Sequence, residues 1–164
     1  MNKAKLSAGV ARRIITPPKG IFLIGYGDRT KGNIGVHDDL TATALVLDDG
    51  KTRVAIVALD ILTINEFIVD RVRARLTPTE VLLCCSHTHS GPIAYADEKS
   101  SRLNREYIDS LVDNIVEVVN EVVQLRRTRP PQQAEVKENH LEQPRRVCSR
   151  LLSRHCSVRA LRPA

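Results

Sequence analysis

Val81–Pro92 reads VLLCCSHTHSGP, an apolar run that ends in two histidines one residue apart and a Gly-Pro turn. Residues 81–86 carry no charge and suit a strand. Their apolarity on both faces predicts an interior place in a sheet. In an extended segment, residues two apart point the same way, about 6.5–7 Å apart along the chain. His87 and His89 are therefore expected to face one side together.

Working upstream, the hydrophobic period changes. Thr63-Ile64-Asn65-Glu66 has the pattern of a capping box, with the Thr63 hydroxyl and the Glu66 carboxylate each satisfying the other's amide. Ile68, Val72 and Leu76 recur at helical spacing until Thr77-Pro78 ends the helix. TRVAIVALD, residues 52–60, is a further strand, so residues 53–86 form a strand–helix–strand unit whose strands run parallel with a right-handed crossover. LTATALVL, residues 40–47, is expected to pair with the 52–60 run as an antiparallel hairpin through Asp49-Gly50. AGVARRIIT, residues 8–16, reads as a first strand stopped by Pro17 and Pro18. Between them lies a loop, residues 19–39, with five glycines that allow close backbone approach.

Downstream, a long amphipathic helix is predicted over residues 103–125. Its stripe is Leu103, Tyr107, Leu111, Asn114, Val118 and Val122, broadened by Ile108, Ile115, Val119 and Leu125, and it should cover a face of the sheet. The predicted class is α/β: a mixed sheet built from a hairpin and a β-α-β unit, covered by a long helix.

The chain has 164 residues, enough for one domain with a core of its own. Its net charge of +6 is unevenly placed. Residues 1–125 hold 15 Lys+Arg against 16 Asp+Glu, and residues 126–164 hold 10 against 3. That last segment also has four prolines and no aromatic residue, and is expected to be a disordered basic tail. Without aromatic stacking groups in the tail, and with a slightly acidic remainder, nucleic-acid binding is not expected. No run approaches the roughly 18 apolar residues of a membrane span. The N-terminus lacks the apolar block of a signal peptide, which predicts a cytoplasmic protein. Cys84, Cys85, Cys148 and Cys156 form no C-x-x-C pair and read as small apolar residues or idle thiols.

The chemistry therefore rests on the histidines. Imidazoles are the commonest metal ligands, and catalytic zinc usually takes three protein ligands plus a water. In parallel α/β sheets, ligands bind beyond the carboxyl ends of the strands. Asp60 closes one parallel strand and His87 follows the other, so both should emerge at one sheet edge. Asp60 is thus a candidate ligand, a candidate holder of a ring N–H on a metal-bound histidine, or a residue facing the dipole of the following helix. His37, alone in GVHDDL, is either a hydrogen-bonded loop histidine or a contributor near the metal. Ser86, Thr88 and Ser90 lack the G-x-S-x-G surroundings of a nucleophile elbow and suit turn hydrogen bonding.

AGVARRIITPP, GYG, GVHDDLTATALVLDDGKTRVAIVALD and above all SHTHSGP, in that order over residues 8–92, resemble the N-terminal segment of the neutral/alkaline non-lysosomal ceramidases. The 103–125 helix also fits, and the resemblance fades near residue 125. It implies a zinc-dependent amide hydrolase that cleaves N-acylsphingosine to sphingosine and fatty acid, with His87 as zinc ligand and His89 as the catalytic residue beside the metal. The family's remaining ligands, another His, a Glu and a Tyr, come from later segments and match no residue here. The resemblance thus implies an incomplete domain over residues 1–125, carrying half of a Zn2+ site and inactive by itself. Residues 126–164 are then expected to be a fragment's end or an out-of-frame reading. A non-catalytic α/β remnant without metal is the alternative.

Overall fold

The computed structural model describes residues 6–95 and 101–128. Strands β1 (Ser7–Ile14), β2 (Thr41–Asp48), β3 (Arg53–Leu59) and β4 (Glu80–Cys85) lie in that order in one sheet. The pairs β1–β2 and β2–β3 are antiparallel, and β3–β4 is parallel. Helix α1 (Glu66–Leu76) connects β3 to β4, and α2 (Arg102–Thr128) follows. The expected mixed α/β sheet, hairpin and β-α-β unit are all present.

The hairpin turn is longer than a two-residue connection. Residues 49–52 link the strands, and Gly50 alone among them has positive φ, at 90°. The Asp48 carboxylate accepts from the Gly50 amide, and that of Asp49 from the Lys51 and Thr52 amides, at 2.8–2.9 Å. The Thr52 and Lys51 amides hold the Asp49 carboxyl below the usual range.

Both helices lie on one face of the sheet, with α2 over β1 and β2 and α1 against β4 and α2. Ala42, Ala44 and Val46 of β2 and Ala55, Val57 and Leu59 of β3 point into this layer, each with 0% exposure. The α2 stripe runs through Tyr107, Ile108, Leu111, Ile115, Val118, Val119 and Val122 as expected. It is wider than expected, because Val112 and Val116 are buried too, while Leu125 is exposed. The Tyr107 hydroxyl donates to the Ile15 carbonyl at 2.9 Å, tying α2 to the end of β1. Among the described residues the opposite face carries no helix. There the register aligns Val10, Leu45, Ile56 and Leu82 across the four strands. Val10 is 62% and Leu82 51% exposed.

Two local expectations are corrected. The 81–86 strand is not interior: β4 is the edge of the sheet formed by the described residues, and Leu82 and Cys84 are exposed. Apolarity on both faces reflected the uncovered face rather than two layers of cover. The cap of α1 is Asn65, not Thr63. The Asn65 side chain accepts from the Ile68 amide at 3.2 Å, and the helix begins at Glu66. Asn65→Ala is accordingly expected to cost about 0.5–2 kcal/mol, read as a lower denaturation midpoint, with Thr63→Ala nearly neutral beside it. Residues 129–164, most of the expected tail, lie outside the described residues, and α2 runs three residues past the expected boundary at 125.

Burial raises two titratable groups on the packed face. It pushes the Cys85 thiol up to about 11 from an ordinary 9.0, with Cys84 adding to the shift, and it pushes the Tyr107 hydroxyl up as well. The fold therefore favours the protonated forms. Their contribution to stability is complete below the unfolded-state values and is lost as pH rises through the folded ones. Melting temperature is expected to drop progressively above about pH 9. Tyr107→Phe should flatten the upper part of that drop while costing about 1–3 kcal/mol at neutral pH, because the Ile15 carbonyl loses its donor.

Candidate active site

Parallel pairing of β3 and β4 ends with Leu59 opposite Cys85, so Asp60 and the SHTHSGP segment leave the sheet at the same edge. The Ser86 amide still donates to the Leu59 carbonyl at 2.9 Å. At His87 the strand breaks, with φ +62°, the one non-glycine positive φ among the described residues. Histidine is one of the few side chains enriched in that left-handed region. The reversal directs the His87 amide to the Ile61 carbonyl at 3.1 Å and the ring Nδ1 to the Leu62 carbonyl at 3.0 Å. A carbonyl can only accept, so Nδ1 is the donor, and in the neutral imidazole the lone pair falls on Nε2. His87 is exposed, and that lone pair is available to a ligand.

His89 is half-buried, with its ring centroid 5.3 Å from that of His87 and the planes at 68°. The two rings are neighbours, as expected, but not because the segment is extended. The left-handed turn at His87 and the loop above His89 bring them together. Tyr26 meets His89 edge-on, with centroids 5.2 Å apart. Arg29 lies over Tyr26 at 4.8 Å and donates to the carbonyls of Ile24 at 3.1 Å and His89 at 2.7 Å. Gly25, at φ +111°, permits this approach, since a Cβ there would stand 2.6–2.9 Å from His89 Cγ, Cβ and Cα. The Ile24 amide donates to the Gly91 carbonyl at 3.0 Å, and Leu23 forms an antiparallel bridge with Pro92. Sequence reading missed Tyr26 and Arg29. The only signal for them was the Gly25-Tyr26-Gly27 triplet in a glycine-rich loop.

Asp60 and His37 form a second group. The Asp60 Oδ2 accepts from the amide and hydroxyl of Thr41, at 3.1 and 2.7 Å, so this carboxylate ties β3 to β2. The His87 Nδ1 proton is held by the Leu62 carbonyl instead. His37 Nδ1 pairs with Asp38 at 2.7 Å, and both side chains are almost fully exposed. Asp60, His37, Thr88 and Ser90 line one cleft of about 480 Å³, and the rings of His87 and His89 do not border it. Among the described residues no three His, Cys, Asp or Glu side chains converge as a metal cage. The donors present fit part of a zinc site: one imidazole with a fixed tautomer and a second beside it. No helix among the described residues is long and apolar enough to cross a membrane.

The elements thus define an α/β domain that presents paired imidazoles at the carboxyl edge of its parallel strands. Residues 7–143 match the family model for the N-terminal region of neutral/alkaline non-lysosomal ceramidases, and the chain belongs to that family. The match continues past residue 125, where composition turns Arg- and Pro-rich. Among solved structures, the neutral ceramidase from Pseudomonas aeruginosa superposes with a TM-score of 0.63 and 23% identity, covering 75% of this chain and 22% of that one. A ceramidase complexed with C2 superposes at 0.61 with 23% identity, covering 73% and 21%. This chain therefore spans about a fifth of the length of either, and the likeness is one of fold. No curated protein sequence matches it.

Proposed function

We propose that this chain is the N-terminal part of a zinc-dependent, ceramidase-type amide hydrolase that releases sphingosine and fatty acid from N-acylsphingosine. The single observation that carries the proposal is the His87 ring. Its Nδ1 lies at a backbone carbonyl, and the exposed ring stands beside a second imidazole. Ligated histidines commonly donate their other N–H in this way, which fixes the tautomer and raises basicity. His87 is thus one zinc ligand. Bound zinc supplies a low-pKa water and polarises the amide carbonyl. His89 would donate to the developing oxyanion or shuttle the proton of the attacking water. Asp60 acts through the framework, holding the two strand ends together at Thr41.

Zinc titration of the full chain, wild type beside His87→Asn and His89→Ala, tests this reading. Asparagine tolerates the left-handed backbone at position 87, so the variant keeps the local fold. His87→Asn is expected to weaken binding by at least about tenfold, with a smaller loss for His89→Ala. Equal affinity in wild type and His87→Asn would assign the zinc to other groups, His140, His155, Cys148 and Cys156 among them, and defeat the proposal.

A further inference from the structure

We propose that Arg29 is a positioning residue for His89. The proposal rests on the reading of His89 as the group beside the metal, and it adds a device that places it. Arg29 is sixty residues away in sequence, yet its Nη1 donates to the main-chain carbonyl of His89 at 2.7 Å and to that of Ile24 at 3.1 Å. One guanidinium nitrogen therefore staples the glycine-rich loop to the histidine turn. The same guanidinium lies 4.8 Å over the Tyr26 ring, and that ring and the His89 imidazole form a T-shaped pair with centroids 5.2 Å apart. A planar, always charged group can serve the carbonyls and the aromatic face at once. A lysine ammonium keeps the charge but lacks the planar fork, and fits the three partners at once less well.

The stack has a floor and a neighbour. The floor is Gly25, whose missing side chain leaves room for the His89 Cβ and Cγ. The neighbour is His87, 5.3 Å from His89 and anchored separately by Leu62. His87 is thus held from the β3–α1 side and His89 from the 24–29 loop. Among the hydrogen bonds seen between described residues, Arg29 is the charged side chain that reaches the main chain of His89. It touches the main chain of His89 and not its ring nitrogens, so it sets the place of the imidazole without replacing its chemistry.

The test is side-chain NMR of the full chain, metal-free, for wild type, Arg29→Ala and Arg29→Lys, with the sheet amides of Ala44 and Val57 reporting the fold. Both variants are expected to lose the Tyr26–His89 ring-to-ring contact and to shift the His89 ring resonances, while the His87 resonances and sheet amides stay in place. Retention of the wild-type contact in either folded variant overturns the proposal. Should Arg29→Ala fail to fold, Arg29→Lys decides alone, since it keeps the charge and the aliphatic stem. Adding zinc to the same samples separates this inference from the functional reading. A zinc-insensitive His87 in wild type defeats the metal assignment, and the Arg29 effect on metal-free His89 is read independently of it.

Discussion

Leu111→Ala is expected to lower the unfolding free energy by roughly 2–5 kcal/mol, a large share of the 5–15 kcal/mol typical of a domain. Leu111 is 1% exposed on the underside of α2, where that helix lies across the sheet. Truncation leaves a cavity between helix and strands that neither can close without shifting against the other. The control is Leu82→Ala on the uncovered sheet face, where the side chain is 51% exposed and the cost should stay below about 1 kcal/mol. Denaturant melts of the two variants measure the asymmetry directly. Similar losses would mean that the sheet is packed on both faces.

Gly25→Val should have the largest effect on the site itself. The φ of +111° alone is unfavourable for a branched residue, by about 1–2 kcal/mol or more. The added Cβ would also meet His89 Cα, a backbone atom, at 2.9 Å. Neither partner can yield cheaply, so the 24–29 loop must lift away. The expected outcome is a folded sheet with near-wild-type circular dichroism, loss of the Tyr26–His89 contact, and zinc affinity reduced about tenfold. Unchanged zinc affinity with the loop demonstrably displaced would show that His89 contributes nothing to the metal's surroundings.

The larger elements were legible because their signals are local. Ile68, Val72 and Leu76 at helical spacing and Asp49-Gly50 between two β-branched runs each specify an element within about a dozen residues. The position of the histidines at the sheet edge followed from parallel pairing alone. What was hidden depended on partners far along the chain. His87 finds the Leu62 carbonyl 25 residues away. The left-handed turn at His87 breaks the strand period that was used to align the two rings. Tyr26 and Arg29 reach His89 only after the loop has folded back onto Gly91 and Pro92. Asp60 and the histidines share an edge, yet the carboxylate is spent on Thr41, a partner that no spacing rule names.

The two bonds from His87 to consecutive carbonyls, Ile61 and Leu62, have a consequence for the length of the connector. Every residue type carries a carbonyl, so this support of the ring does not depend on the side chain at position 62. The length of the connector is not free. Inserting or deleting one residue between Asp60 and Asn65 would present the wrong carbonyl, or a carbonyl aimed elsewhere, to the imidazole. The support of this imidazole is thus a matter of chain length.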